Sequence, residues 1–130
     1  GEHNDCVAMA KQFADRTHFV HLRSCYIFPN GNFTEASHLG GRGHLIELCR
    51  IFEKAEQEGK CNSGRRLPMR VDHGMTFTDE PGGVFDESNH GHNAGYTLLG
   101  RMFAMGQIQG VIATVDDELG IVYKQPGFYD

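Results

Sequence analysis

Leu67-Pro68-Met69-Arg70-Val71-Asp72-His73-Gly74 reads as a short buried strand that ends in an acid, an imidazole and a glycine. In α/β proteins the carboxyl ends of parallel strands face the active site. An Asp-His pair at such an end can ligate a metal and move a proton. The same residues also suit a plain turn, with Asp72 capping the chain and Gly74 supplying a positive φ. The sequence on either side decides between the two.

Upstream, Thr17-His18-Phe19-Val20-His21-Leu22-Arg23 has the composition of a second buried strand. With a period of two, Phe19, His21 and Arg23 share one face and Val20 and Leu22 the other. A His and an Arg on an otherwise apolar strand are costly to bury without partners, and both fall at its carboxyl end. Between the two strands, His44 to Glu58 is amphipathic, with Leu45, Leu48, Cys49, Phe52 and Ala55 inward. Glu47, Arg50, Glu53, Lys54 and Glu56 form its solvated side, and Gly59 suits the position after its end. Asn4 or Asp5 caps an earlier helix whose apolar side is Met9 and Phe13, with Ala10 and Ala14 beside them. Residues 95–106 form a third helix with Leu98, Leu99, Met102 and Phe103 inward, Asn93 as a candidate cap and Tyr96 in its first turn. Val111 to Val115 reads as a short strand or a continued packing segment, and Asp116-Asp117-Glu118 as a solvated turn. The order helix, strand, helix, strand, helix implies parallel strands with crossover helices, an α/β architecture.

Two long segments remain. Ser24 to Gly43 is a loop around the turn signal Pro29-Asn30-Gly31-Asn32, and loops of this length in compact domains are often functional. Its candidate polar groups are Glu35 and His38, which taken alone read as solvated. Met75 to Ala94 carries His90-Gly91-His92, a pair with metal-binding spacing that in such a loop reads first as solvated, and the segment is alternatively a lid over the site.

The 130 residues suffice for one small domain. A net charge of −5 argues against non-specific nucleic-acid binding. No run of 18 apolar residues suggests a membrane span. No signal-peptide pattern is visible, and a start at Gly1 instead of Met is expected of a fragment or a processed chain. Cys6, Cys25, Cys49 and Cys61 show neither a C-x-x-C pair nor zinc-type spacing, as expected of reduced thiols in a cytoplasmic protein.

Four patches, in order, resemble the mannonate dehydratase family. They are Phe13-Ala14-Asp15-Arg16 leading to His18-Phe19-Val20-His21-Leu22-Arg23-Ser24, then Phe33-Thr34-Glu35-Ala36-Ser37-His38-Leu39-Gly40-Gly41, then Pro68-Met69-Arg70-Val71-Asp72-His73-Gly74, and finally Gly95-Tyr96-Thr97-Leu98-Leu99-Gly100-Arg101. The resemblance implies the carboxyl-terminal part of a TIM (β/α)₈ barrel. Residues 1–110 would supply its last βα units, and 111–130 a divergent tail. It implies a hydro-lyase that converts D-mannonate to 2-keto-3-deoxy-D-gluconate in hexuronate catabolism with Mn²⁺ or Fe²⁺. His21 and Asp72 match two of the metal ligands, with the Cys and second His ligands on strands this chain does not contain. His73 and Tyr96 match the acid/base groups, and Arg23 and His38 suit substrate contacts. The family also implies a cytoplasmic enzyme, homo-oligomeric at full length, active only as a complete barrel. The chain departs from the pattern at Val71 and Ala94, where family members commonly carry Pro, in the length of the segment between His73 and Tyr96, and beyond Val111. A divalent-metal sugar isomerase or epimerase barrel, or a non-catalytic barrel fragment, are the alternatives.

Overall fold

The computed structural model describes residues 4–62, 65–75 and 98–122. Helix α1 (Cys6–Phe13) starts at Asp5, whose carboxylate accepts the Ala8 N–H at 2.9 Å. A 3₁₀ turn, Ala14–Arg16, leads into strand β1 (Val20–Leu22). The hairpin strands β2 (Cys25–Ile27) and β3 (Phe33–Glu35) follow, then helix α2 (Leu45–Gln57), strand β4 (Met69–Val71) and helix α3 (Leu98–Glu118).

The crossover rule holds for the central pair. β1 and β4 run parallel with Val20 opposite Met69, His21 opposite Arg70 and Leu22 opposite Val71, and α2 lies between them in sequence. The alternation read from β1 holds as well, because Leu22 is buried and His21 is exposed. The expected long loop is instead built around a hairpin. β2 and β3 pair antiparallel, Cys25 with Glu35 and Ile27 with Phe33. The Phe28 N–H donates to Asn32 O at 2.8 Å, and Gly31 sits at φ +85°. The Pro-Asn-Gly-Asn signal therefore marks a hairpin turn flanked by Tyr26, Ile27, Phe33 and Thr34, residue types that favour strands.

Three helical faces differ from the expectation. In α1 Met9 and Phe13 are exposed, and Ala10 and Ala14 pack with Phe52, Ala55, Cys61 and Leu67. Small side chains let that helix come closer than Met and Phe would. In α3 Leu98, Leu99, Met102 and Phe103 lie outward, and Gly100, Ala104, Ile108, Val111 and Val115 form the buried stripe. Val111 to Val115 is thus the last part of one 21-residue helix and not a strand. By length and composition α3 is apolar enough to cross a membrane. Here it packs along α2 and β4, with Ile108, Val111 and Val115 against Leu22, Leu45 and Cys49.

The third difference is electrostatic. Glu53 and Asp116, expected in solvent, are 2% and 0% exposed. Arg66 stands 3.9 Å from Glu53 and 3.7 Å from Asp116, beyond hydrogen-bonding distance. Burial, opposed by Arg66 and reinforced by Asp116 and Glu56, pushes the Glu53 carboxyl up from 4.5 to about 7. Burial, with both acids nearby, pushes the Cys49 thiol up to about 12. Between pH 4.5 and about 7 the unfolded Glu53 is ionised while the folded one holds its proton. Its contribution to stability is therefore fully present below 4.5 and is lost as pH rises through about 7. Glu53→Gln removes that dependence. In paired denaturant titrations of the full gene product, the variant should gain on the wild type by on the order of 1–3 kcal/mol between acid and mildly alkaline pH. A constant difference across that range would contradict the assignment.

Candidate active site

The parallel register brings the ends of β1 and β4 together. The Asp72 N–H continues the ladder and donates to Leu22 O at 3.1 Å. His21 and Asp72 consequently face each other across the strand ends, Nδ1 to Oδ1 3.8 Å. The His21 ring also stands edge-on to Phe19, with centroids 4.7 Å apart. The other Asp72 oxygen lies 3.7 Å from Nε2 of His73. His21 is about half exposed and Asp72 about a quarter. An imidazole nitrogen beside a carboxylate, both partly open, is a donor pair that a divalent first-row cation can use. Among the described residues no group of three or more His, Cys, Asp or Glu is arranged to hold a metal ion.

The hairpin delivers a residue that was read as solvated. Glu35, at the end of β3, has a side chain only 6% exposed. It accepts from Arg23 Nε at 3.0 Å and 3.2 Å on its two oxygens, and from Arg23 Nη2 as well. Its Oε1 also lies 3.5 Å from Nδ1 of His73. The hydrogen bond to Glu35 is the main reason that the Arg23 guanidinium binds its proton more tightly still. Burial, and then the charge of Glu35, push the Cys25 thiol up, which keeps it in the thiol form. The signal for Glu35 was the hairpin itself, since Glu35 is paired with Cys25, two residues beyond Arg23.

His38 supports the site from behind. It is 2% exposed, its Nε2–H donates to Leu22 O at 2.8 Å, and its backbone N–H donates to Gln107 Oε1 at 2.9 Å. Only its buried Nδ1 is left for the expected contact with substrate. Tyr96, its candidate cap Asn93 and the His90-Gly91-His92 segment lie outside the described residues.

Two further residues have roles that the sequence reading did not give them. Arg101 of α3 donates through Nη2 to Asp72 O at 3.3 Å. Gly74 does not need a positive φ, contrary to the turn reading. It needs room, because a Cβ there would stand 2.4 Å from Gly100 O and 2.9 Å from Arg101 N. The two glycines let α3 touch the strand just beyond His73.

The sequence pattern of D-mannonate dehydratase (UxuA) matches residues 1–120. The chain belongs to the D-mannonate dehydratase family. It is 37% identical over 118 residues to mannonate dehydratase 2 of Agrobacterium fabrum, covering 89% of this chain and 28% of that protein. It is 35% identical over 115 residues to the mannonate dehydratase of Saccharophagus degradans, covering 87% and 28%. Against the Brucella canis mannonate dehydratase it is 32% identical over 114 residues, covering 87% and 26%. The chain thus spans just over a quarter of the length of these curated relatives. The family pattern ends at residue 120, just beyond α3, so Val111 to Glu118 lies inside it.

Gly74→Ala tests the strand–helix contact. A methyl group placed 2.4 Å from a backbone carbonyl must displace α3 or the end of β4. Overpacking of this kind costs about 1–3 kcal/mol. A clear fall in the thermal midpoint of the full gene product is expected, and an unchanged midpoint would show that Gly74 and Gly100 are not in contact.

Proposed function

We propose that the protein carrying this chain is a metal-assisted hydro-lyase that dehydrates D-mannonate to 2-keto-3-deoxy-D-gluconate. The described strands would be the carboxyl-terminal share of a (β/α)₈ barrel. The observation that carries this is the pairing of His21 with Asp72 at the carboxyl ends of two parallel strands, in a chain of this family. Active sites of such barrels lie at that end. Two features support a larger barrel. Among the described residues β4 pairs with β1 alone. Beside β4 lies an open cavity of about 520 Å³ lined by Met69, Val71, Met105, Ile108 and Ile112 among others. The outward Leu98, Leu99, Met102 and Phe103 likewise suit burial against further chain or a second copy.

Dehydration removes a proton from C2 and hydroxide from C3, and the resulting enol becomes the 2-keto acid. His21 and Asp72 would hold Mn²⁺ or Fe²⁺ together with donors from the remainder of the protein. Such an ion, when bound, supplies Lewis acidity that favours negative charge on the substrate oxygens. His73 stands beside Asp72 and is one of two groups suited to move the protons, with Tyr96 the other. Arg23 gives Nε and Nη2 to Glu35 and keeps other N–H donors for a carboxylate. His38 would act mainly through Leu22, whose carbonyl it shares with the Asp72 N–H. A sugar-acid catabolic enzyme of this kind would work in the cytoplasm, as a homo-oligomer.

The test uses the full gene product with D-mannonate and Mn²⁺, following formation of the 2-keto-3-deoxy acid. His73→Asn should lower kcat by about 10²–10⁴-fold, the usual worth of a positioned acid or base. Asp72→Asn should weaken Mn²⁺ binding in calorimetry by at least about tenfold. Turnover that survives His73→Asn would exclude its proton-transfer role. Folded protein that binds Mn²⁺ but leaves D-mannonate intact would exclude the substrate.

A further inference from the structure

We propose that Phe33 is a specificity-determining positioning residue: its ring holds the plane of the Arg23 guanidinium so that one edge is offered to the carboxylate of a sugar acid. Its consequence for turnover rests on the substrate contact given to Arg23 above. Its structural content does not.

The hairpin grips Arg23 on two sides. A guanidinium can present two flat forks to carboxylates, a lateral one from Nε and Nη2 and an end-on one from Nη1 and Nη2. Glu35 occupies the lateral fork. Nε donates to its two oxygens at 3.0 Å and 3.2 Å, and Nη2 donates to Oε1. The end-on fork, with both protons of Nη1 and the second proton of Nη2, is turned away from Glu35. The face of the guanidinium is held separately. Its Cζ stands 5.4 Å from the centre of the Phe33 ring, within the range of a cation–π contact. Phe33 and Glu35 lie two residues apart on β3, so the period of two puts both on one side of the hairpin.

Each grip does what the other cannot. Carboxylate oxygens accept over a broad range of angles, so the bonds to Glu35 alone leave the guanidinium free to tilt. The ring restricts that tilt and consumes no N–H. Phe33 is 58% exposed and belongs to neither core cluster, so burial is not what its ring contributes. A fork of two donors held in one plane suits two accepting oxygens that share a charge. The carboxylate of a sugar acid supplies them, and the hydroxyl of the corresponding neutral polyol does not. In this way the hairpin turns a flexible arginine into a planar receptor for acids.

The experiment compares Phe33→Leu, which keeps an apolar side chain and removes the ring, with Phe33→Tyr, which keeps the ring. Its first readout is nitrogen-15 NMR of arginine-labelled full gene product, with the Arg23 Nε–H signal assigned by its loss in Arg23→Lys. Phe33→Leu should move that signal by removing the ring's magnetic field, and Phe33→Tyr should leave it close to its wild-type position. The second readout is kinetic, with D-mannonate and Mn²⁺. Phe33→Leu should raise KM about two- to fivefold, the worth of an exposed cation–π contact, with kcat held within about twofold. Phe33→Tyr should restore KM. An Arg23 signal that Phe33→Leu does not move overturns the proposal, whether or not D-mannonate is turned over. So does an active Phe33→Leu enzyme with unchanged KM, or one that loses kcat instead. Equal damage from Leu and Tyr also overturns it, since the ring would then not be what matters. If the signal responds as expected but D-mannonate stays intact, Phe33 positions Arg23 as stated, and it is the proposed reaction that fails.

Discussion

The carbonyl of Leu22 accepts two hydrogen bonds, from the Asp72 N–H at 3.1 Å and from the His38 Nε2–H at 2.8 Å. It sits at the point where the parallel ladder ends, with Leu22 itself buried. A buried carbonyl at a strand end needs partners. Here one partner carries the site acid, and the other is a histidine whose own backbone is tied to α3 through Gln107. A one-residue slip of β4 would break this ladder bond and turn Asp72 to the opposite face. The position of the candidate metal donors thus depends on a register of three residue pairs.

Short strands hold that register only because the layers on both sides clamp them. Ala10 and Ala14 with Phe52 and Ala55 close one side, and Ile108, Val111 and Val115 with Leu45 and Cys49 close the other. Val20 and Met69, opposite each other in the ladder, touch both clusters. Gly74 and Gly100 then set how near α3 can come to the strand end. Packing and chemistry meet there, since Arg101, next to Gly100, bonds the carbonyl of Asp72.

Much of this was legible in the residues. The apolar run before Asp72, the alternation around His21 and the spacing of Leu45, Cys49 and Phe52 fixed the strand–helix–strand unit, because period and burial agree there. Periodicity misjudged the faces of α1 and α3 because it weighs apolar size. A helix that must lie close to a neighbour buries its glycine and alanine instead, as at Ala10, Gly100 and Ala104. It also placed Glu53 and Asp116 in water, since a charge on a helix reads as solvated until a second helix covers it. Glu35 was hidden for another reason. Its partners are 12 and 38 positions away in sequence, and only the hairpin brings it to them.

The hairpin also settles the charge around the strand ends. Glu35 offsets Arg23 directly, so that pair adds almost no net charge. What remains is the Asp72 carboxylate, flanked by two imidazoles at 3.8 and 3.7 Å. A carboxylate facing only neutral or weakly basic neighbours attracts a cation more strongly than one already bridged to a guanidinium. Were Glu35 absent, Arg23 would lose its ion-pair partner, and the charge of Asp72, which already acts on it, would remain nearby. By occupying Arg23, Glu35 leaves Asp72 available. One buried acid thus holds the Arg23 guanidinium while the Asp72 carboxylate faces two imidazoles instead.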